Sequence, residues 1–238
     1  MVLEDVRRLN AASIFRSCDA LGIQEVFWVH RPREDGSGFG RNEFTPEELA
    51  LPELSRCAVV VKKSMGCSWY VAVRSFMSTE EALEALEIDG YSSVATTLGG
   101  SSMALGDAAF LDGRAPMAKV AVWFGHEGRG LSEAALAGCR GGRVHVDMVG
   151  SGDSLGVSAA VPLVMHEVLR KRAAAGTRAT IGPAEVDALY ARLSSSAGSG
   201  DARSTRKLIR EFTHGAGKWK GVDAPAVGTA GGASGAAQ

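Results

Sequence analysis

Residues 120–136, VAVWFGHEGRGLSEAAL, run from an apolar strand through a loop with three glycines and one acid, Glu127, into a helical segment. A strand that feeds a glycine-rich loop and then a helix is a unit from which α/β sheets build ligand sites. Gly125, Gly128 and Gly130 let the backbone approach a ligand closely or adopt positive φ, which side chains oppose. Their order is G-x-x-G-x-G. It matches neither the G-x-G-x-x-G of dinucleotide sites nor a P-loop with its Lys-Ser/Thr. Taken alone, the loop reads equally well as a tight turn.

A second unit follows in VHVDMVGSGDSLGVSAAVPLVMHEVLR, residues 144–170, where a strand ending near Val146 crosses a Gly/Ser loop into a helix starting near Ser154. Neighbouring strands would present both loops at one end of a sheet, where ligands bind. Pro162 falls inside the expected helix, removes a backbone donor and should kink it. Further β-rich runs stand at 25–29, 57–61, 70–73, 93–97, 119–124 and 143–146. A helix is expected over 78–86, with Ser78 or Thr79 as cap and Glu81 closing a capping box. This alternation predicts an α/β fold with a largely parallel sheet and helices on both faces.

The 238 residues, 45% hydrophobic and 22% charged, suit one core with appendages. No apolar run approaches the ~20 residues of a membrane span, and the N-terminus has no signal-peptide h-region. A reducing, cytoplasmic compartment is the expectation. Cys18, Cys57, Cys67 and Cys139 form no C-x-x-C pair and read as reduced core thiols. The histidines show no metal-ligand spacing, and no metal is expected.

Net charge is −1, but six Lys or Arg residues between Arg203 and Lys220 face one acid. Arg203, Arg206, Lys207 and Arg210 fall at i, i+3, i+4 and i+7, so a helix would line them along one side. They are candidates for substrate phosphate contact, or an ordinary solvated face. Residues 31–40 read as a loop, 45–54 as a short surface helix, 183–193 as a possible helix and the last 18 residues as disordered.

NAASIFRSCDALG (10–22), FGHEGRGLS (124–132) and VHVDMVGSGDSLGVS (144–158), in this order, resemble the three motifs of the SPOUT-class RNA 2′-O-ribose methyltransferases, and within them the TrmH family acting on tRNA guanosine. Ser64, Gly66 and Trp69 resemble a further signature in which the Trp opens a strand. The resemblance spans 10–172. It implies a deep C-terminal trefoil knot, which connectivity rules alone would reject, and a homodimer whose first-motif residues complete the partner's site. It implies S-adenosylmethionine as cofactor, cradled near Leu98, Gly125, Val146 and Leu155, and a tRNA or other structured RNA as partner.

The resemblance also assigns catalytic positions. Arg16 matches the arginine linked to activation of the 2′-hydroxyl. A guanidinium is a poor base, so a bidentate grip on the neighbouring phosphate, which orients the hydroxyl, is the preferred role; a surface ion pair to Asp19 is the plain alternative. Glu127 would orient Asn10 or Arg16, and Ser154 would touch cofactor or phosphate. The chain departs from the family at Gly156, where an Asn is usual, at Asp147 for Pro and at Ala12 for Gly. The implied division is a SPOUT methyltransferase domain at 1–175, a helical basic extension at 176–220 and a disordered tail at 221–238. The expected reaction is methyl transfer to a tRNA ribose 2′-hydroxyl, at a D-loop guanosine. Ribosomal RNA as substrate, or a catalytically weakened RNA-binding protein favoured by Gly156, are the alternatives.

Overall fold

The computed structural model describes residues 1–31 and 57–177, all within one compact unit. Outside them lie the basic residues Arg203, Arg206, Lys207 and Arg210, the readings at 32–54 and 183–193, and the tail. Seven strands form one sheet: β1 Val2–Glu4, β2 Glu25–Val29, β3 Ala72–Phe76, β4 Ser92–Thr96, β5 Met103–Ala104, β6 Val120–Phe124 and β7 Arg143–His145. Their order is β3-β2-β1-β6-β4-β7-β5, and every pairing is parallel.

A parallel sheet covered on both faces has strands that are apolar at nearly every position, as VAVWF is in β6. Alternate residues go to opposite sides. Leu3, Trp28, Val122, Phe124 and Val144 pack with helices α1 (Arg8–Leu21), α2 (Ala58–Lys63) and α5 (Val157–Ala174). Val2, Phe27, Ala95 and Trp123 pack under α3 (Thr79–Ile88) and α4 (Glu133–Gly138). In α1, Ile14, Phe15 and Cys18 recur at helical spacing and are fully buried, with Phe15 set edge-on to Trp28 at 5.3 Å between ring centroids. At α3, the Ser78 hydroxyl accepts from the Glu81 N–H, as its capping position requires.

Several sequence expectations change. Residues 57–61 are not a strand: their Val-rich run begins α2, because Val60 is buried beside α1 and that packing overrides β-branched propensity. Trp69 does not open a strand but sits in a 3-10 turn, Cys67–Tyr70, and β3 starts at Ala72. The last helix begins at Val157 rather than near Ser154 and runs on through Pro162 without a break. β6 and β7 are not neighbours, since β4 lies between them. Cys67 is only half-buried, unlike the other three free thiols. Among the described residues, no helix is long and apolar enough to cross a membrane.

Candidate functional site

Strands β6, β4 and β7 run side by side in one direction, so the loops that leave them gather at one edge. There a cleft of about 400 Å³ opens, the size of a small-molecule site. Leu98 lines it after β4, Gly125 and Glu127 after β6, and Val146, Ser154 and Leu155 after β7. The four residues expected to hold a cofactor thus converge, with Ser154 among them. Thr96, Thr97 and His145 also line the cleft and escaped the sequence reading. Their place depends on β4 lying between the two motif strands, which no local pattern encodes.

The glycine-rich loop is closed on itself. The His126 and Gly130 backbones exchange hydrogen bonds of 3.0 and 2.8 Å, and the Gly128 N–H donates to His126 Nδ1 at 2.9 Å. A Cβ on Gly125 would overlap the backbone of Gly130 and Leu131. The expectation that the glycines serve approach to a ligand therefore changes for Gly125, whose missing side chain serves loop closure. Of the three glycines only Gly130 has positive φ, +70°. With Nδ1 accepting, the proton of the neutral imidazole sits on Nε2. Burial, then the Arg129 charge, pull the His126 pKa below its usual value and keep the ring neutral at pH 7.

Glu127 meets the start of α1. Its Oε1 accepts from Asn10 Nδ2 at 2.5 Å and from the Arg7 N–H at 3.2 Å. Oε2 is buried without a hydrogen bond, 3.9 Å from Arg7 Nε and from His126 Nε2. A carboxylate at a helix N-terminus also gains from the helix dipole. Arg16 is not part of this constellation. It lies six residues beyond Asn10, about 9 Å further along the axis, exposed and outside the cleft. Within one chain Glu127 therefore meets Asn10 and not Arg16, and among the described residues no ion pair joins Arg16 to Asp19.

After β7 the chain is open. Residues 147–156 are all exposed. Gly156 is the N-cap of α5 with no side-chain cap, and a Cβ there would meet open space. The imidazole of His145 is held between Ser102 Oγ, 2.9 Å from Nδ1, and Asp147 Oδ1, 3.4 Å from Nε2. Burial pushes the thiols of Cys18 and Cys139 up to about 12 and that of Cys67 to about 11, so all three stay protonated at neutral pH. Among the described residues no group of three His, Cys, Asp or Glu side chains is placed to hold a metal ion.

Residues 46–166, half of the chain, match the SpoU rRNA Methylase family. The match takes in the loops after β4, β6 and β7, whereas Asn10 and Arg16 precede it. A tRNA (guanosine(18)-2′-O)-methyltransferase of Borreliella burgdorferi is 28% identical over 171 residues, 71% of this chain and 65% of the relative. The enzyme of the same name from Thermus thermophilus is 30% identical over 177 residues, 74% of this chain and 76% of the relative. The chain thus spans slightly less than two thirds of the first and about three quarters of the second. The solved SpoU methyltransferase AviRb of Streptomyces viridochromogenes, in complex with the cofactor AdoMet, shares the fold at a TM-score of 0.55. It is 21% identical, over 73% of this chain and 59% of that one. The motif resemblance and these matches agree, and the chain belongs to the SpoU rRNA Methylase family.

Proposed function

We propose that this protein transfers a methyl group from S-adenosylmethionine to a ribose 2′-hydroxyl of tRNA, at a guanosine of the D-loop. One observation carries the reading: the Glu127–Asn10 pair borders a cleft whose walls come from three adjacent strand ends. Membership of a methylase family supports the chemistry. The names of the Borreliella and Thermus relatives support tRNA guanosine as substrate, and AviRb was solved with AdoMet.

The cleft suits such a cofactor. Leu98, Val146 and Leu155 offer apolar surface for a planar base, while Thr97, His145 and Ser154 offer polar partners. When bound, the cofactor supplies an electrophilic methyl group. Glu127 fixes the Asn10 amide at the edge of the cleft, so that its remaining donor and carbonyl face substrate in one orientation. Arg16 grips the phosphate beside the target ribose with its planar fork and orients the hydroxyl, and a phosphate oxygen helps to take the proton. Its place outside the cleft of its own chain suits a homodimer in which it serves the partner's cleft. An Arg16→Lys chain that kept most activity would sink this role.

The proposal includes the trefoil knot and the division at 1–175, 176–220 and 221–238, with the cytoplasm as compartment and the basic residues 203–210 as RNA contacts. Strand order supports the knot. β7 lies between β4 and β5, which are consecutive in the chain, so their connection passes over the end of β7, as such a knot requires. A second reading, an RNA-binding protein with weakened catalysis, is favoured by Gly156, which leaves both α5 and the cleft without a side-chain amide. The decisive experiment incubates the purified chain with methyl-labelled S-adenosylmethionine and total RNA and maps the label. Label on a tRNA D-loop ribose supports the first reading, and label on ribosomal RNA replaces its substrate. RNA binding without label, with turnover restored by Gly156→Asn, establishes the second.

A further inference from the structure

Glu4 is fully buried at the end of β1, yet it is a carboxylate with no place in the reaction described. Such a group persists in a core only when hydrogen-bonded. Its Oε2 accepts the Ser132 N–H at 2.7 Å, and its Oε1 accepts the Ser132 hydroxyl at 2.7 Å and the Thr79 hydroxyl. Arg31 Nε stands 3.6 Å away. Ser132 is the residue at which the glycine-rich loop ends and α4 begins. Glu4 thus ties the exit of that loop to the end of β1.

The same end of β1 sets the start of α1. Asp5 turns the chain with a positive φ of 54°, unusual for a side chain, and is held there by the Arg31 N–H at 2.8 Å and Arg31 Nη2 at 2.6 Å. Arg129, in the glycine-rich loop, lies 3.6 Å from the Asp5 carboxylate. Two residues further, Arg7 and then Asn10 receive Glu127. Between Glu4 and Asn10 the chain therefore touches the loop at Ser132, Arg129 and Glu127 in turn. Of the three carboxylates that make these contacts only Glu4 is fully buried, so its bonds to the half-buried Ser132 suffer least screening.

We propose that Glu4 is a positioning residue, which holds the glycine-rich loop through Ser132 so that Glu127 meets Asn10 at the edge of the cleft. Its consequence for turnover rests on the methyltransferase reading, but its consequence for the loop does not. Glu4 touches no substrate; it fixes where Glu127 stands.

The test compares the full chain with Glu4→Gln, Ser132→Gly, Ser132→Thr and Thr79→Val. Ser132→Gly removes the hydroxyl contact at small cost to the α4 cap, whereas Thr79→Val removes the contact on the side away from the loop. Amide exchange over 125–131 should quicken in Glu4→Gln and Ser132→Gly, at His126 and Gly130 above all, and stay unchanged in Ser132→Thr and Thr79→Val. In the methyl-transfer assay the first two should lose about 10- to 100-fold in kcat with KM for RNA and cofactor little altered, and Ser132→Thr should restore kcat. Unaltered loop exchange in the first two overturns the proposal, whether or not the wild-type chain transfers methyl. So does a kcat loss in Thr79→Val equal to theirs, which would mark a merely structural carboxylate. Should Glu4→Gln fail to fold, Ser132→Gly decides the question by the same two readouts. A wild-type chain without transfer defeats the methyltransferase reading alone and leaves loop exchange to decide on Glu4.

Discussion

Loops 125–131 and 147–156 border one cleft, but the first is held along its length and the second almost nowhere. The first closes through the His126–Gly130 bridge, places Gly125 against its own backbone and meets β1 and α1 through Ser132, Arg129 and Glu127. In the second, among the described residues, no hydrogen bond reaches 148–155, and Met148, Val149 and Leu155 present apolar surface to solvent. The closed loop is preorganised, so a bound molecule loses little free energy in ordering it. The open loop has to be ordered by what binds. Under the proposed function, orientation of catalytic groups belongs to the first loop and adaptation to ligand to the second.

The largest way to break this contrast is Gly125→Ala. The added methyl group overlaps the Gly130 and Leu131 backbone, so the closed loop cannot form as it stands. Denaturation should show a loss of about 1–3 kcal/mol, and methyl transfer should fall below detection. Saturation with S-adenosylmethionine should raise stability by about 2.7 kcal/mol at a hundredfold excess over Kd. Amide exchange should then slow mainly over 148–156 and little over 126–130; the reverse pattern would invert the assignment of the two loops.

Acid offers a smaller perturbation, directed at the closed loop. His126 is held neutral, its folded pKa below the 6.5 of an unperturbed histidine, and His30 in the core is lowered to about 4, both chiefly by burial. The unfolded chain therefore binds more protons as pH falls below 6.5. The contribution of these two groups is complete above that value and declines beneath it, by at most about 1.4 kcal/mol per pH unit for each. Melting at pH 7 and pH 5 should show the loss, and His126→Gln should reduce it without abolishing it, since His30 remains. Smallest is the effect of Gly156→Asn in the open loop. The side chain enters free space and caps α5, raising stability by a few tenths of a kcal/mol. An unchanged or lower melting temperature would show that 156 is more constrained than its neighbours.

The sequence carried the parts of this protein that depend on local period and turn chemistry. The apolar run of β6, the Ser78 cap, the helical spacing of Ile14 and Cys18, and the two glycine loops all follow from residues within a few positions of one another. The cofactor candidates Leu98, Gly125, Val146 and Leu155 came from motif resemblance, and the fold brings them to one cleft. Tertiary structure alone decided the rest. β1 and β5 are too short to show a period, and exist because longer strands offer them partners. The Val-rich run after Cys57 is helical because α1 covers it. Glu127 meets Asn10 across 117 positions, and Glu4 serves Ser132 across 128, because strand order and burial bring together residues that no local pattern connects.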